Sequence, residues 1–250
     1  MTLRTLLLSV LGSTAFIATT AVPALSAPAG DPRCNGMKAT IVGTEGGEII
    51  EGTPGRDVIV GLGGADRIFG LEGNDHICGN GGEDLLVGNA GDDVLVGGLD
   101  SDELVGDVGD VGNDVLIGGE GGDFLNGGEG SDLVSGGAGD DQAGGGEGND
   151  LMFGADGNDE VVGGDGRDLL FGGPDNDFVN GGAENDVLFA NGGDDTLIGD
   201  TGNDLMFGGF GDDRLRGDDG VVDNDRLNGG PNVAGDVCES DPDPETGCES

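Results

Sequence analysis

A nine-residue period runs through this chain from Gly52 onward and limits the fold to architectures that repeat with it. Seventeen blocks are nonapeptides, and three more, beginning at Gly106, Gly217 and Gly229, carry three extra residues. All twenty blocks have Asp at the sixth position or its equivalent. A phase this strict indicates a repeat architecture, in which each unit packs on its neighbours and stacking buries one continuous core.

The two parts of each block have opposite conformational preferences. Positions one to six are rich in Gly, Asn and Asp, which tolerate positive φ and turn sharply, and Gly alone accounts for 59 of 250 residues. Positions seven to nine hold Val, Ile, Leu, Met and Phe, which favour extended strands. We therefore expect a six-residue turn and a three-residue strand per block. Position eight should point inward, from Ile59 to Leu227, with Ala143 as the smallest member.

Six blocks, starting at Gly118, Gly127, Gly136, Gly145, Gly163 and Gly208, have the full form G-G-x-G-x-D-x-U-x, where U is apolar or its substitute. This pattern resembles the RTX-type (haemolysin-type) calcium-binding nonapeptide repeat. The resemblance implies an all-β fold, a right-handed parallel β-roll (β-solenoid) with two nonapeptide repeats per coil and about ten coils. It also implies calcium ions between turns stacked on successive coils. With strands about 4.8 Å apart, the roll would be roughly 48 Å long.

Calcium suits the turns chemically, because it takes six to eight oxygen ligands and a Gly-rich turn exposes carbonyl oxygens beside the position-six carboxylate. Twenty turns stacked in two rows make about eighteen facing pairs, and hence about eighteen ions. The candidate metal ligands are Asp57, Asp66, Asp75, Asp84, Asp93, Asp102, Asp114, Asp123, Asp132, Asp141, Asp150, Asp159, Asp168, Asp177, Asp186, Asp195, Asp204, Asp213, Asp225 and Asp236. Asp100, Asp175 and Glu184 replace the fourth-position glycine, and Ala190 replaces the first, so we expect weaker binding or an altered geometry there.

The charge of the chain gives calcium a second role. The net charge is −42, which argues against nucleic acid and anionic membrane surfaces as partners. About eighteen calcium ions would bring roughly +36, so we expect binding and folding to be one event, with an expanded chain when metal is absent. The alternative, a solvated acidic disordered tail, does not explain the strict phase of the apolar positions.

The N-terminal sequence predicts that the protein is exported. Arg4, an apolar stretch from Leu6 to about Ala18 and small residues after it resemble a secretory signal peptide at 1–27, cleaved after Ala24 or Ala27. No other stretch is long and apolar enough for a membrane span. We expect an N-terminal cap with a degenerate repeat at 28–51, the calcium-binding roll at 52–240 and a C-terminal tail at 241–250. The protein should be secreted and extracellular.

Four cysteines in an exported chain indicate two disulfides, for which three connectivities are possible. We favour a bridge between Cys34 and Cys78 and a local one between Cys238 and Cys248, because the second pair is close in sequence. Metal binding by these cysteines is disfavoured, since the chain has no C-x-x-C pair and His76 is its single histidine.

Enzymatic signatures are not found in this sequence. No serine lies in G-x-S-x-G, a single histidine forbids H-E-x-x-H, and the single lysine, Lys38, is in no phosphate-binding loop. His76 is expected to be a solvated strand residue. The favoured function is a secreted calcium-binding protein without catalysis, in which calcium is required for folding.

The alternative function is an interaction module, such as an adhesin, a scaffold or a self-associating protein. Successive repeats alternate between two faces, and outward positions seven and nine of the odd repeats are nearly all apolar. Four of them, Phe153, Phe171, Phe189 and Phe207, recur every eighteen residues and should stack in one ladder. This face is a candidate surface for a protein partner or homo-oligomer, although an apolar ladder can also serve only to stabilise the stack.

Overall fold

The computed structural model describes residues 31–217, 226–230 and 237–239, and these residues form twenty-four β-strands. The predicted signal peptide, the C-terminal tail, Asp225, Asp236 and Cys248 lie outside them. The strands are β1 (Arg33–Cys34), β2 (Met37–Lys38), β3 (Ile41–Val42), β4 (Ile49–Glu51), β5 (Val58–Gly63), β6 (Arg67–Glu72), β7 (His76–Gly81), β8 (Leu85–Ala90), β9 (Val94–Leu99), β10 (Glu103–Val105), β11 (Val115–Glu120), β12 (Phe124–Glu129), β13 (Leu133–Ala138), β14 (Gln142–Glu147), β15 (Leu151–Asp156), β16 (Glu160–Asp165), β17 (Leu169–Pro174), β18 (Phe178–Ala183), β19 (Val187–Gly192), β20 (Thr196–Thr201), β21 (Leu205–Phe210), β22 (Arg214–Arg216), β23 (Arg226–Asn228) and β24 (Val237–Glu239).

Apart from an antiparallel hairpin of β1 and β2, the strands form two parallel sheets of eleven strands each. The odd sheet contains β3, β5 and every second strand to β23, and the even sheet contains β4, β6 and every second strand to β24. Strands pair in register eighteen residues apart, as Leu133 does with Leu151. The separation is twenty-one residues across the longer block at Gly106, where Val94 pairs with Val115. It is also larger near the C-terminal end of the roll, at twenty-one residues between Leu205 and Arg226 and twenty-three between Arg214 and Val237. The chain is therefore a β-solenoid of about ten coils, as the repeat predicts.

The strands are longer than the sequence predicts. Most span six residues, from position seven of one block to position three of the next, as β15 does from Leu151 to Asp156. Positions two and three also pair across coils, for example Gly137 with Ala155 and Ala138 with Asp156. The prediction of a three-residue strand was wrong because backbone hydrogen bonding does not require apolar side chains. The turn that remains covers positions four to six.

The core is one side chain thick, as expected. Position eight is at most 4 % exposed in every repeat from Ile59 to Leu227, and these residues form one cluster along the roll, against which the partly buried Cys238 packs. Its members from the repeats are Ile59, Ile68, Ile77, Leu86, Leu95, Leu104, Leu116, Leu125, Val134, Ala143, Met152, Val161, Leu170, Val179, Leu188, Leu197, Met206, Leu215 and Leu227. Each strand alone buries too little to be stable, so the core depends on stacking.

The N-terminal segment covers the beginning of the odd sheet. The predicted N-terminal cap, residues 28–51, contains β3 and β4, which are the first strands of the two sheets. The hairpin then packs over the outer face of the odd sheet, and the bond between Cys34 and Cys78 fixes it there, as predicted. Val58 and Val60 are consequently buried although their side chains point away from the core. The apolar outer face is thus covered at one end, which the sequence pattern did not indicate.

The hairpin also changes the environment of His76. The ring is half-buried rather than solvated, its Nδ1 atom is buried without a hydrogen-bond partner, and its Nε2 atom lies 3.2 Å from Nη2 of Arg56. Burial lowers the pKa of His76, and the positive charge of Arg56 lowers it further. The expectation that this side chain is solvated was therefore wrong.

The predicted phenylalanine ladder is present on the odd sheet. Neighbouring rings of Phe153, Phe171, Phe189 and Phe207 are parallel within 9°, and their centroids are 4.8–5.2 Å apart. Each ring is half-buried, because it covers its neighbours in the stack. The ladder therefore stabilises coil stacking, and its role as a surface for partners stays a prediction.

Candidate metal centre

Two ladders of aspartates follow the turns along the roll. Every position-six Asp from Asp57 to Asp213 is at most 6 % exposed. One carboxylate oxygen, Oδ1, accepts the backbone N–H of the position-six residue one coil earlier; Oδ1 of Asp150, for example, lies 2.8 Å from the nitrogen of Asp132. The same bond joins Asp93 to Asp114 across the longer block. These bonds place the candidate ligands of successive coils next to each other, as the period predicts.

The second carboxylate oxygen has no such partner. Oδ2 is buried and accepts no hydrogen bond in Asp66, Asp75, Asp84, Asp93, Asp102, Asp114, Asp123, Asp132, Asp141, Asp150, Asp159, Asp168, Asp177, Asp186 and Asp195. It occupies the space beside the first glycine of its own repeat, and a Cβ on Gly61 would lie only 2.5 Å from Oδ2 of Asp66. A buried carboxylate oxygen without a donor is costly, so these atoms favour a bound cation.

Backbone carbonyls of the turns also point toward the neighbouring coil. Glycines at positions two and four take the left-handed conformation, as Gly146 (φ 118°) and Gly148 (φ 136°) do. The carbonyl oxygens of Gly128 and Gly130 lie where Cβ atoms of these two residues would be. Among the described residues, no three His, Cys, Asp or Glu side chains form a metal-binding group. The donor set is therefore carboxylate plus backbone carbonyl, which fits calcium rather than a transition metal.

Electrostatics confirm that these carboxylates lack compensation. Burial raises the pKa of Asp102 and Asp150 to about 7, and the pKa of Asp114 and Asp186 to about 8. The ladder hydrogen bond opposes this shift, and repulsion from neighbouring carboxylates adds to it. Within the described part of the chain the single ion pair joins Lys38 to Asp31, at an exposed position. From Asp66 to Asp195 the ladders are thus rows of buried carboxylates that no ion pair between described residues reaches.

The first carboxylate of each ladder accepts hydrogen bonds from threonine residues. Oδ2 of Asp57 accepts hydrogen bonds from the backbone and hydroxyl of Thr53, at 2.7 and 2.8 Å, and Oδ1 accepts one from Thr40. Glu48, which stands where Asp is expected, is bonded by Thr44 in the same way. Asp57 therefore has protein donors for both oxygens, unlike the position-six aspartates from Asp66 to Asp195. The last described rungs, Asp204 and Asp213, are buried, and their Oδ1 atoms accept ladder bonds.

The three turns without a fourth-position glycine keep the same backbone. Asp100, Asp175 and Glu184 have φ of 72°, 76° and 79°, in the left-handed region that costs a non-glycine residue roughly 1–2 kcal/mol. Ala190, at position one, is fully buried. The stack is continuous through all four blocks, and their weaker calcium binding stays a prediction.

Sequence reasoning missed two further ladders, one in each row of turns, formed by position five. Side chains of this position accept the backbone N–H of the equivalent residue one coil later; Oδ1 of Asn176 lies 2.6 Å from the nitrogen of Asp194, and Oδ1 of Asn113 lies 3.0 Å from that of Ser131. The frequent Asn, Asp and Ser at position five were the available signal, because short polar side chains readily bond to nearby backbone. These hydrogen bonds link the turns of successive coils.

The fold and the donor set define a class, the β-solenoid with calcium-binding turns. In agreement, the family model described as the RTX calcium-binding nonapeptide repeat matches residues 42–77, 79–111, 108–143, 144–179, 153–188, 171–206, 189–221 and 198–231. The chain therefore belongs to the RTX calcium-binding repeat family, and it is a calcium-binding repeat protein. A comparison with curated proteins gave no match. No helix in the described ranges is long and apolar enough to cross a membrane.

Proposed function

We propose that this protein is a secreted calcium-binding protein without catalytic activity, in which calcium held between stacked turns is required for folding. One observation carries the proposal. The position-six aspartates from Asp66 to Asp195 are buried, and each leaves one oxygen without a hydrogen-bond donor. A roll with these carboxylates ionised and no cation is strongly destabilised. Binding of calcium would remove that cost and supply the charge that the turns lack.

The residues that would hold calcium are the position-six carboxylates and the turn carbonyls at positions two and four. When bound, calcium supplies a positive charge and accepts oxygen ligands from both facing turns. Facing turns along the roll would hold about eighteen ions. Because the liganding turns are brought together only by stacking, the unfolded chain has no preformed site, and the binding free energy becomes folding free energy.

Secretion is supported by the N-terminal sequence, in which Arg4 and the apolar stretch after it are typical of a signal peptide. It is also consistent with the chemistry, because extracellular calcium modules work at about 10⁻⁴ to 10⁻³ M ion. A chain that folds only when it meets such concentrations would remain expanded until exported.

The experiment that tests this function is a count of bound ions. Equilibrium dialysis of the purified chain against calcium, followed by metal analysis, should give about eighteen ions per chain. Magnesium at the same concentration should give few, because it requires near-ideal octahedral geometry and dehydrates reluctantly. A chain that binds at most one or two calcium ions, or binds magnesium equally, would contradict the proposal.

A further inference from the structure

The block that begins at Gly106 changes the path of the chain at one residue. Its three extra residues lie between Gly106 and Asp114, and Asp107 occupies position two. In neighbouring coils this position has a left-handed backbone, as in Asn89 (φ 73°) and Gly128 (φ 121°). Asp107 is not in the left-handed region. The insertion therefore allows a different side-chain direction at this position.

The side chain of Asp107 is directed inward. It is only 6 % exposed, and neither of its carboxylate oxygens accepts a hydrogen bond of good geometry. The N–H of Gly112 lies near the carboxylate but donates to the carbonyl oxygen of Glu129 at 3.0 Å. Asp200 provides the comparison, since it is also Asp at position two but in a regular block. It keeps the left-handed backbone (φ 62°), is half-buried and accepts a hydrogen bond from Asn180 at 3.1 Å. The insertion, and not the residue type, thus buries the carboxylate of Asp107 without a partner.

Oxygen atoms surround one point beside Gly112. A Cβ on this glycine would lie 3.0 Å from Oδ2 of Asp107 and 3.1 Å from Oδ1 of Asp114, and it would overlap the carbonyl oxygen of Gly91. Two carboxylates and a carbonyl therefore converge on a space that exists because residue 112 has no side chain. Calcium takes such oxygens at about 2.3 to 2.6 Å. Small movements of these three oxygens would therefore bring them within coordination distance of one ion.

The surroundings add negative charge and no positive charge. The carboxylates of Asp93 and Asp132 repel Asp107, as does that of Asp110 in the same insertion. Burial is the main reason that the pKa of Asp107 rises to about 7; the backbone N–H of Gly112 opposes this shift, and the three carboxylates add to it. No ion pair in the described ranges reaches this region, because the single one joins Lys38 to Asp31.

We propose that Asp107, Asp114 and the carbonyl oxygen of Gly91 form a calcium site with one more carboxylate than the regular turns provide. The additional charge gives this site a higher affinity than its neighbours, since the number of charged ligands sets calcium affinity. The inference rests on the proposed function, because it assigns an additional ligand to a roll that binds calcium.

The test compares Asp107→Asn with Asp110→Asn in the full chain. Both variants remove one charge from the same insertion, but Asp110 is exposed. Hydrogen exchange of the segment 106–117, measured by mass spectrometry over a range of free calcium, reports the local site. We expect Asp107→Asn to raise the calcium midpoint of this segment about tenfold and Asp110→Asn to leave it within about twofold of wild type. Equal midpoints in the two variants would overturn the inference, whereas a wild-type segment that ignores calcium would overturn the proposed function itself.

A second measurement separates a ligand from a structural residue. In EDTA at pH 4, where the metal-free chain is expected to gain β structure, Asp107→Asn replaces a protonated carboxyl group, so the variant should show at least as much β structure as wild type. With calcium it should be less stable than wild type. A variant that is equally destabilised in both conditions would show that Asp107 is only structural, and the inference would be wrong.

Discussion

The position-six aspartates combine two roles that are usually separate. From Asp66 to Asp195, one oxygen of each position-six carboxylate continues the backbone ladder from coil to coil, and the other accepts no hydrogen bond. A neutral residue of the same shape would keep the first role and lose the second, because an asparagine oxygen still accepts the ladder bond. The two contributions are therefore separable by substitution.

Asp150→Asn is expected to raise the calcium concentration needed for folding by about tenfold, because it removes one charged ligand while the bond from Asp132 remains. A calcium titration followed by far-UV circular dichroism measures the midpoint. Glu147→Gln is the matched control, since it removes the same charge at an exposed position three residues earlier. If both variants shift the midpoint equally, the effect is one of net charge and not of ligation.

The raised pKa values predict how pH acts on the metal-free chain. In the folded state burial raises the pKa of these aspartates from 3.8 to about 6 for Asp66 and Asp195, and to about 8 for Asp114 and Asp186. Groups of this kind contribute stability that is fully present below pH 3.8 and is lost as the pH rises through 6 to 8. In EDTA, β structure should therefore increase as the pH falls from 8 to 4.

In calcium the pH dependence should have the opposite sign. Protons then compete with the ion for the same oxygens, so the calcium midpoint should rise as the pH falls. Circular dichroism at a series of pH values, with EDTA and with calcium, checks both signs. A metal-free chain that loses β structure on acidification would refute the assignment of buried, uncompensated carboxylates.

The hairpin of β1 and β2 and the phenylalanine ladder both lie on the outer face of the odd sheet. The hairpin covers the first coils through Cys34, Val58 and Val60, and the ladder runs along later coils. Neither element contributes to the core of position-eight residues. Both should therefore change stability without changing the number of calcium ions.

Replacing Cys34 and Cys78 together by Ser is expected to lower the free energy of unfolding by about 4 kcal/mol, from the entropy of a loop closed over a separation of 44 residues. Urea unfolding at saturating calcium measures this change. The bound-ion count should stay the same, because no predicted ligand lies in the hairpin. A loss of less than about 0.5 kcal/mol would show that the bridge does not restrict the unfolded chain.

Phe171→Ala is expected to destabilise the roll by about 2 kcal/mol, because Phe171 stacks on Phe153 and on Phe189 at 5.0 and 5.2 Å. Phe210→Ala serves as the control: this ring is 65 % exposed, and its loss should matter by less than about 0.5 kcal/mol. If the two variants are equally stable, the ladder makes no stacking contribution.

The same ladder allows a test of the hypothesis that this face binds a partner. Phe171→Asp combined with Phe189→Asp places charges at the centre of the ladder. Light scattering in calcium compares the mass of this variant with that of wild type. An unchanged mass would show that the ladder does not hold copies of the chain together.

At the scale of the whole molecule, the strict period made the β-solenoid, its core and the aspartate ladders predictable. Position eight and position six each have one environment that is repeated from coil to coil, so one pattern determines many residues. The repeat pattern cannot predict the structure of residues that depart from it or lie outside it. Strand length was underestimated because positions two and three pair through backbone alone, and the covered face was missed because β1 and β2 lie before the repeat. The buried side chain of Asp107 was missed because an insertion changes local direction.

The central claim is that calcium binding and folding are one event. It is tested most directly by following far-UV circular dichroism and sedimentation velocity of the full chain through one calcium titration that starts in EDTA. We predict an expanded chain without β structure in EDTA, and a steep transition to a compact β-rich rod with the same calcium midpoint by both methods, which magnesium does not produce. A compact β-rich chain in EDTA that is unchanged by calcium would contradict the claim and leave calcium as a ligand of an already folded roll.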